Sequence, residues 1–419
     1  MRLVIHDYSG HPGQIRLSRE LARRGHDVQH QFCASFVTGQ GATQRRAGDP
    51  DAFTVLPVHL GSQFQRYSPV VRVWQEVQYG LKATRAVLGH HPDLAVLSNV
   101  PLLSLLLMST ALRLRGVDYV FWQQDVYSEA IDAIARRRLG RIGAVVGWLA
   151  TRCERRIARH AAAVVSISDA FVDKLASWGV RGPAVHVIPN WAAIDEMPLR
   201  PKGNPWAKAH DLSDVFVVMY AGTLGWKHDP AAIADLARSL PAGTQLLVVS
   251  QGKGREWLEG TAGDVPRLTL LDYQPYEQLP DVLATADVLL VLLERDASRY
   301  SVPSKVLNYL CAGRPILALL PGENAVSTTI EAAGAGFVVA PGDHDAASAA
   351  LGNLLADLPG RSRMGSAARR YAERTFDIVE VGDRFDAVFE HCAARRRRHR
   401  RLTRFVLAEK ADVVESAHD

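Results

Sequence analysis

Short apolar runs alternate with longer amphipathic stretches along almost the whole of this 419-residue chain. Leu3–His6, Val28–Phe32, Leu94–Ser98, Tyr119–Trp122 and Val164–Ile167 read as strands, with helical periodicity at Ile15–Arg24 and Val70–Leu88 between them. Phe216–Tyr220, Leu246–Ser250, Leu268–Leu271, Val288–Leu293, Ile316–Leu319 and Phe337–Val339 repeat the pattern in the second half. Apolar strands separated by helices belong in parallel sheets covered on both faces. The expected fold is therefore α/β, with two Rossmann-like, doubly wound parallel-sheet domains facing a cleft. The rhythm breaks between Asn190 and Asp214, where Pro198, Pro201, Gly203 and Pro205 mark a linker. The expected division is residues 1–195, a linker over 196–213, a second domain over 214–380, and a C-terminal helix with a basic tail over 381–419 that returns to the first domain.

The length exceeds what one hydrophobic core comfortably fills, which agrees with two domains. With 47% hydrophobic and 22% charged residues, the composition is that of an ordinary globular protein. Cys33, Cys153, Cys311 and Cys392 show neither metal spacing nor a disulfide framework. The N-terminus begins a strand without a signal-peptide core, and the apolar run Val100–Leu112 is too short to span a bilayer and reads as a buried helix. The expected location is cytoplasmic, with peripheral contact at the inner face of the cell membrane as an extension.

Three strand ends in the second half carry glycine or hydroxyl groups together with a cation. After Phe216–Tyr220 comes Ala221-Gly222-Thr223-Leu224-Gly225-Trp226-Lys227-His228-Asp229-Pro230, a glycine loop entering a helix at Asp229-Pro230. After Leu246–Ser250 comes Gln251-Gly252-Lys253-Gly254-Arg255. The third, Ser301-Val302-Pro303-Ser304-Lys305, opens a helical turn with Val306, Leu307, Tyr309 and Leu310, followed by Cys311-Ala312-Gly313-Arg314-Pro315. Unpaired N–H groups at a helix start favour an anion, and Lys305 there makes sense beside a negative group. Each loop alone is a weak motif. In a parallel sheet, however, the three ends share one edge, and a phosphate-handling site is expected there.

In the first half, His6-Asp7-Tyr8-Ser9-Gly10-His11-Pro12-Gly13-Gln14 links the first strand to a helix without matching a dinucleotide fingerprint. Gly10, His11, Gly13 and Gln14 line the cleft from the opposite side on this reading, and Asp125, after Trp122-Gln123-Gln124, lies at its edge or caps the next helix. Arg136-Arg137-Arg138, Arg141, Arg152, Arg155, Arg156 and Arg159 beside Val145, Val146, Trp148 and Leu149 resemble an interfacial helix on anionic lipid; the alternative is a core helix with a solvated basic face. Arg395–Arg401 is a second cationic run, a membrane tether or a disordered tail. Nothing accompanies these runs that would read nucleic acid.

Four segments, GHPGQIRLSRELARRGHDV, VHVIPNW, YAGTLGWKHDP and SVPSKVLNYLCAGRPI, in this order resemble the retaining GT-B glycosyltransferases of family 4, in particular the bacterial exopolysaccharide and O-antigen enzymes similar to WbuB and WcaI. The resemblance covers essentially the whole chain. It implies a sugar transferred from a nucleotide-sugar, a UDP-sugar first of all, to a saccharide or lipid-linked acceptor, with the donor on the second domain and the acceptor on the first. It places Lys227 at the donor diphosphate, Thr223, Ser304 and Lys305 near it, and Tyr273 and Gln274 at the nucleobase. Gly222, Gly225, Gly252, Gly254, Arg255 and Pro303 complete the donor side, and Asp125 and His11 orient the acceptor. Two family glutamates, spaced by seven residues, are replaced by Tyr300 and Asn308; Asn308 retains hydrogen-bonding capacity toward ribose. A frequent arginine is Thr223 here, and a frequent histidine is Gln124. No Asp-x-Asp motif precedes a suitable strand, so no metal or other cofactor is expected. A sugar-nucleotide epimerase of the same architecture and a non-catalytic nucleotide-sugar-binding protein are the competing readings.

Overall fold

The computed structural model describes residues 1–35, 43–61, 69–225, 228–261, 265–294 and 304–415. Trp226, Lys227, Tyr300 and Pro303 lie outside the described residues. In the first half, strands β1 (Arg2–Asp7), β2 (Asp27–Cys33), β3 (Phe53–Val58), β4 (Leu94–Ser98), β5 (Asp118–Gln123), β6 (Ala163–Ser166) and β7 (Val185–Val187) form a sheet ordered β3-β2-β1-β4-β5-β6-β7. In the second half, β8 (Phe216–Ala221), β9 (Thr244–Val249), β10 (Leu268–Leu271), β11 (Val288–Leu292), β12 (Ile316–Leu319) and β13 (Gly336–Val339) are ordered β10-β9-β8-β11-β12-β13. Every neighbouring pair is parallel. The α/β reading and its two doubly wound sheets hold.

All five residues of β4 and of β11 are buried, because helices cover both faces. Strands β3 and β7 were not anticipated. Both are edge strands, only partly buried; β3 carries Pro57 and β7 has three residues, so neither has the apolar signature of a central strand. The strand order reverses at β1 and at β8, and crevices of open parallel sheets form beyond the carboxyl ends of strands at such points. The loops after these two strands are the ones singled out above.

The basic region after β5 corrects the expectation of a single interfacial helix. Tyr127–His160 is helical on both sides of Gly140, whose φ of 54° and ψ of −122° break the rod into two arms. The arms run antiparallel through small residues. A Cβ on Gly143 would lie 2.0 Å from the Ala135 carbonyl oxygen, and one on Gly147 would lie 1.8 Å from Asp132 Oδ1. Near the base, Glu154 of the second arm accepts hydrogen bonds from the Tyr127 (3.1 Å) and Ser128 (2.8 Å) amides, capping the first arm. Beyond it, Ile157 reaches the sheet, its carbonyl accepting from the Tyr119 hydroxyl at 2.7 Å. The seam is small and close, so the larger side chains are left outside.

The helix Ile378–Glu415 packs on the first half of the chain. Arg24 donates to Asp383 (2.6 Å), Asp386 (2.9 Å) and the Val379 carbonyl (2.7 Å). Phe385 sits edge-on to Trp122, ring centroids 4.8 Å apart. Within the second cationic run, Arg395 donates to the Ala161 and Ala162 carbonyls and Arg396 to that of Asp93. This run therefore starts as a helix bonded to the first sheet's periphery, not as a disordered tail. The segment between the sheets is also ordered. Asn204 caps the short helix Pro205–Ala209, Trp206 stacks on His210, and Lys202 pairs with Asp287.

Burial raises the Glu154 carboxyl from 4.5 to about 7, against the backbone bonds that favour its anion. The folded state thus holds a proton the unfolded chain releases, and this group's contribution to stability falls as pH rises from about 4.5 through 7. Denaturant titrations at pH 5 and 8 should show a smaller pH difference in Glu154→Gln than in the parent; an identical difference would refute the assignment.

Candidate active site

In the first sheet the edge is organised around Asp7, which is fully buried at the end of β1. Asp7 Oδ1 accepts from the Ser9 hydroxyl (3.0 Å), the Ser9 amide (3.3 Å) and Asn99 Nδ2 (2.9 Å), and Oδ2 from the His11 amide (2.5 Å). Oriented so that both ends find partners, the Gln14 carboxamide donates to the two Asp7 oxygens at 2.6 and 2.8 Å. It then accepts from Ser98 Oγ at 2.9 Å and Gln124 Nε2 at 3.1 Å. Gln124 Oε1 accepts in turn from Asn190 Nδ2 at 2.6 Å. Burial raises the Asp7 carboxyl to about 6, and the surrounding donors oppose that rise.

This network sets the positions of Gly10, His11 and Gly13. The Gly10 amide donates to the Asp7 carbonyl, and His11 caps the helix Pro12–Arg23 by accepting from the Gly13 amide at its Nδ1. The remaining ring nitrogen, Nε2, then carries the proton, and burial pushes the His11 pKa down to about 4, so the ring is neutral near pH 7. Gly13 is packed from the side: a Cβ there would lie 2.7 Å from the Trp191 carbonyl, and Trp191 Nε1 donates to the Gly13 carbonyl at 3.1 Å. Trp191 stacks on Trp122, with centroids 5.6 Å apart. Two of the family-like segments therefore touch, with no room between Gly13 and Trp191 for a ligand. Asp125 lies two residues past β5, half-buried, just before the helical hairpin.

In the second sheet, the loops after β8 and β9 interlock. The Gly222 amide donates to the Val249 carbonyl, the Leu224 amide to the Gln251 carbonyl, and the Gly254 amide to the Leu224 carbonyl, at 2.9 to 3.0 Å. Gly252 has φ of 112°, and a Cβ on it would lie 2.8 Å from the Leu224 carbonyl oxygen; a side chain is excluded twice over. At Gly254 a Cβ would come within 2.7 Å of Leu224 Cγ. These two glycines admit the neighbouring loop. The Gly225 amide donates to His228 Nδ1 at 3.0 Å. Thr223 Oγ1 is 2.9 Å from the Tyr273 hydroxyl, which ties the loop after β10 to the loop after β8.

The third strand end joins them through two tyrosines. Tyr309, buried in the helix Lys305–Ala312, accepts from the Ala221 amide at 2.9 Å and donates to the Ala221 carbonyl at 3.0 Å. Lys305 Nζ lies 3.7 Å from the Tyr220 ring centroid and hydrogen-bonds its hydroxyl; the same hydroxyl donates to the Thr223 carbonyl at 2.8 Å. The ammonium is 3.4 Å from where a Gly222 Cβ would stand. Gly222, Thr223, Gly252, Gly254, Tyr273 and Lys305 are thereby brought together, with Ser304 beside Lys305 at the helix start and Asn308 half-buried one turn on.

Two residues are engaged elsewhere. Arg255 pairs with Glu259 at 2.6 Å and lies 3.6 Å from Asp272, so its charge is already balanced. Gln274 accepts from Trp206 Nε1 at 3.2 Å and donates to the Asp272 carbonyl at 2.9 Å. Asp7, Asn99 and Tyr220 are contributors that sequence reasoning passed over. Asp7 ends a strand and precedes a helix cap, a readable signal; the other two depend on neighbours 92 and 85 residues away, which no local pattern shows.

Gly13→Ala should cost about 1–3 kcal/mol, since the Trp191 backbone must move to admit the methyl group. Urea denaturation measures this, and a change within error would show that the contact yields freely.

Comparison with known proteins agrees with this architecture. A model described as a glycosyl transferase 4-like domain matches residues 15–191, and one described as glycosyl transferases group 1 matches 216–357. A protein of Escherichia coli K12, assigned to colanic acid biosynthesis as the glycosyl transferase WcaI, is 27% identical over 276 residues, 64% of this chain and 67% of that protein. Among solved structures, Anabaena HepE in complex with UDP and glucose is similar with a TM-score of 0.69 at 16% identity, covering 93% of this chain and 99% of that one. Sucrose-phosphate synthase from Thermosynechococcus elongatus gives 0.69 at 15% identity, covering 94% and 99%. At such identities these two likenesses show the fold, and the two family models, which together span most of the chain, supply the chemistry: the chain belongs to the glycosyltransferases with a GT-B architecture, and the WcaI protein is similar to it.

Proposed function

We propose that this glycosyltransferase moves a sugar from a UDP-sugar to a saccharide or lipid-linked acceptor in the assembly of cell-surface polysaccharide, with retention of configuration and without a metal. The observation that carries this reading is the meeting of Gly222, Gly252 and Lys305 at one edge of the second sheet. The relative's assignment to colanic acid biosynthesis supports the acceptor class, and the UDP and UDP-glucose held by HepE support the donor class.

On this reading the donor diphosphate lies over Gly222, beside Lys305 and the start of its helix. Lys227 supplies a second cation. Thr223 and Tyr273 flank the diphosphate and the base, and Asn308 bonds ribose hydroxyls. As the anomeric carbon–oxygen bond breaks, negative charge grows on the leaving phosphate. A fixed ammonium and helix-start N–H groups stabilise that charge more than they stabilise the bound donor, which lowers the barrier. The acceptor hydroxyl attacks the anomeric carbon from the face the diphosphate leaves, and its proton passes to the departing phosphate oxygen. Neutral His11 and Asp125 orient the acceptor from the first domain.

Purified protein with radiolabelled UDP-sugars and an acceptor saccharide should yield transferred label; isomerised donor, or binding without turnover, would overturn the reading. Removing one charge-stabilising group costs on the order of 10²-fold in rate, and Lys305→Ala should lower kcat/KM by about that factor with its melting temperature little changed. Full activity in that variant would remove Lys305 from the site.

A further inference from the structure

The helical hairpin formed by Tyr127–His160 inverts the usual pattern of a surface helix. Its seam buries Ala135, Gly143, Gly147 and Ala150, while Ile134, Leu139, Ile142, Val145, Trp148 and Leu149 stay half or more exposed. A helix facing only water would bury its large apolar residues and expose the small and polar ones. Contiguous exposed apolar groups of this kind mark a surface that something else covers.

Charge identifies the occupant. Arg136, Arg137, Arg138 and Arg141 cluster at the turn, all exposed, and Arg152 lies over the Trp148 ring at 5.1 Å. The acidic residues of the hairpin are engaged: Glu129 with Lys174, Asp132 with Arg136, and Glu154 at the base of the first arm. The tip is thus apolar and cationic together. A second copy of the chain would set these arginines against their own kind, whereas an anionic lipid surface accepts the apolar groups into its acyl boundary and the guanidinium groups at its phosphates.

We infer that residues 134–152 form a bilayer-docking hairpin that inserts its tip into the headgroup region of an anionic phospholipid membrane. The arms are each at least about 20 Å long at 1.5 Å per residue, and the first begins two residues after Asp125, so the docked membrane stands within about one arm's length of the edge of the first sheet. That last consequence rests on the proposed function, since it brings a lipid-linked acceptor to the cleft; the docking itself does not.

The test is co-sedimentation of the full-length protein with phosphatidylcholine vesicles, with and without phosphatidylglycerol as the anionic lipid. The expected results are partition onto the anionic vesicles, weakening with added salt, and a loss of about tenfold or more in Ile142→Asp/Trp148→Asp and in Arg137→Glu/Arg141→Glu. Quenching of tryptophan fluorescence by brominated lipid, diminished in Trp148→Phe, gives the same answer without a charge reversal. Equal partition of parent and variants, absence of the parent from both vesicle types, or a vesicle-inert dimer that Ile142→Asp/Trp148→Asp dissociates would each overturn the inference. Transfer to a water-soluble acceptor separates it from the catalytic reading: a protein that transfers but does not dock loses only the hairpin, and one that docks but does not transfer loses only the donor site.

Discussion

A single buried carboxylate organises the edge of the first domain. An isolated anion taken out of water costs several kcal/mol even after relaxation, so Asp7 is tolerable at the end of β1 only because amides, a hydroxyl and two carboxamides converge on it. Meeting that demand curls the chain from Ser9 to His11 around the carboxylate and delivers Gly13 against Trp191. Trp191 rests on Trp122, and Trp122 on Phe385 of the C-terminal helix. The cleft edge of the first domain is thereby tied to the far end of the chain.

The second domain reaches the same rigidity by a different route. Its loops are held by backbone hydrogen bonds between neighbours, which glycine allows by letting Leu224 lie directly on residues 252 and 254. Such an arrangement leaves the side-chain space at the sheet edge for Lys305, Thr223 and Tyr273. For the proposed transfer of a sugar from a diphosphate, this division of labour is favourable: stiff backbone holds the dipoles, and one ammonium on an aromatic face stands where the proposal puts the developing charge. The two tyrosines, Tyr220 and Tyr309, connect strand β8 to the helix that carries this ammonium.

The hairpin after β5 shows how a local pattern misleads. Arginines and apolar residues at helical spacing are correctly read as an amphipathic helix, yet Gly140 turns the chain back on itself. The arms meet through Gly143 and Gly147, so the face that looks like a core stripe in the sequence is the exposed one. Arg255 is a similar case. Its position in a glycine loop suggests an anion partner, but Glu259 one turn on and Asp272 just after β10 already lie beside it.

Sequence alone determined the alternation of central strands and helices, because residues such as those of β4 and β11 are buried on both faces and must be apolar throughout. It also determined which loops share an edge, since parallel strands place all their carboxyl ends on one side. The edge strands β3 and β7 escaped, being half solvated and free of that compositional demand. Tertiary structure alone decided which polar groups meet: the Asp7–Asn99 bond, the Lys305–Tyr220 contact and the Gly13–Trp191 approach join positions 92, 85 and 178 residues apart. Hydrogen bonds and close packing act over a few ångströms in space, and separation along the chain carries no trace of them until the sheets have formed.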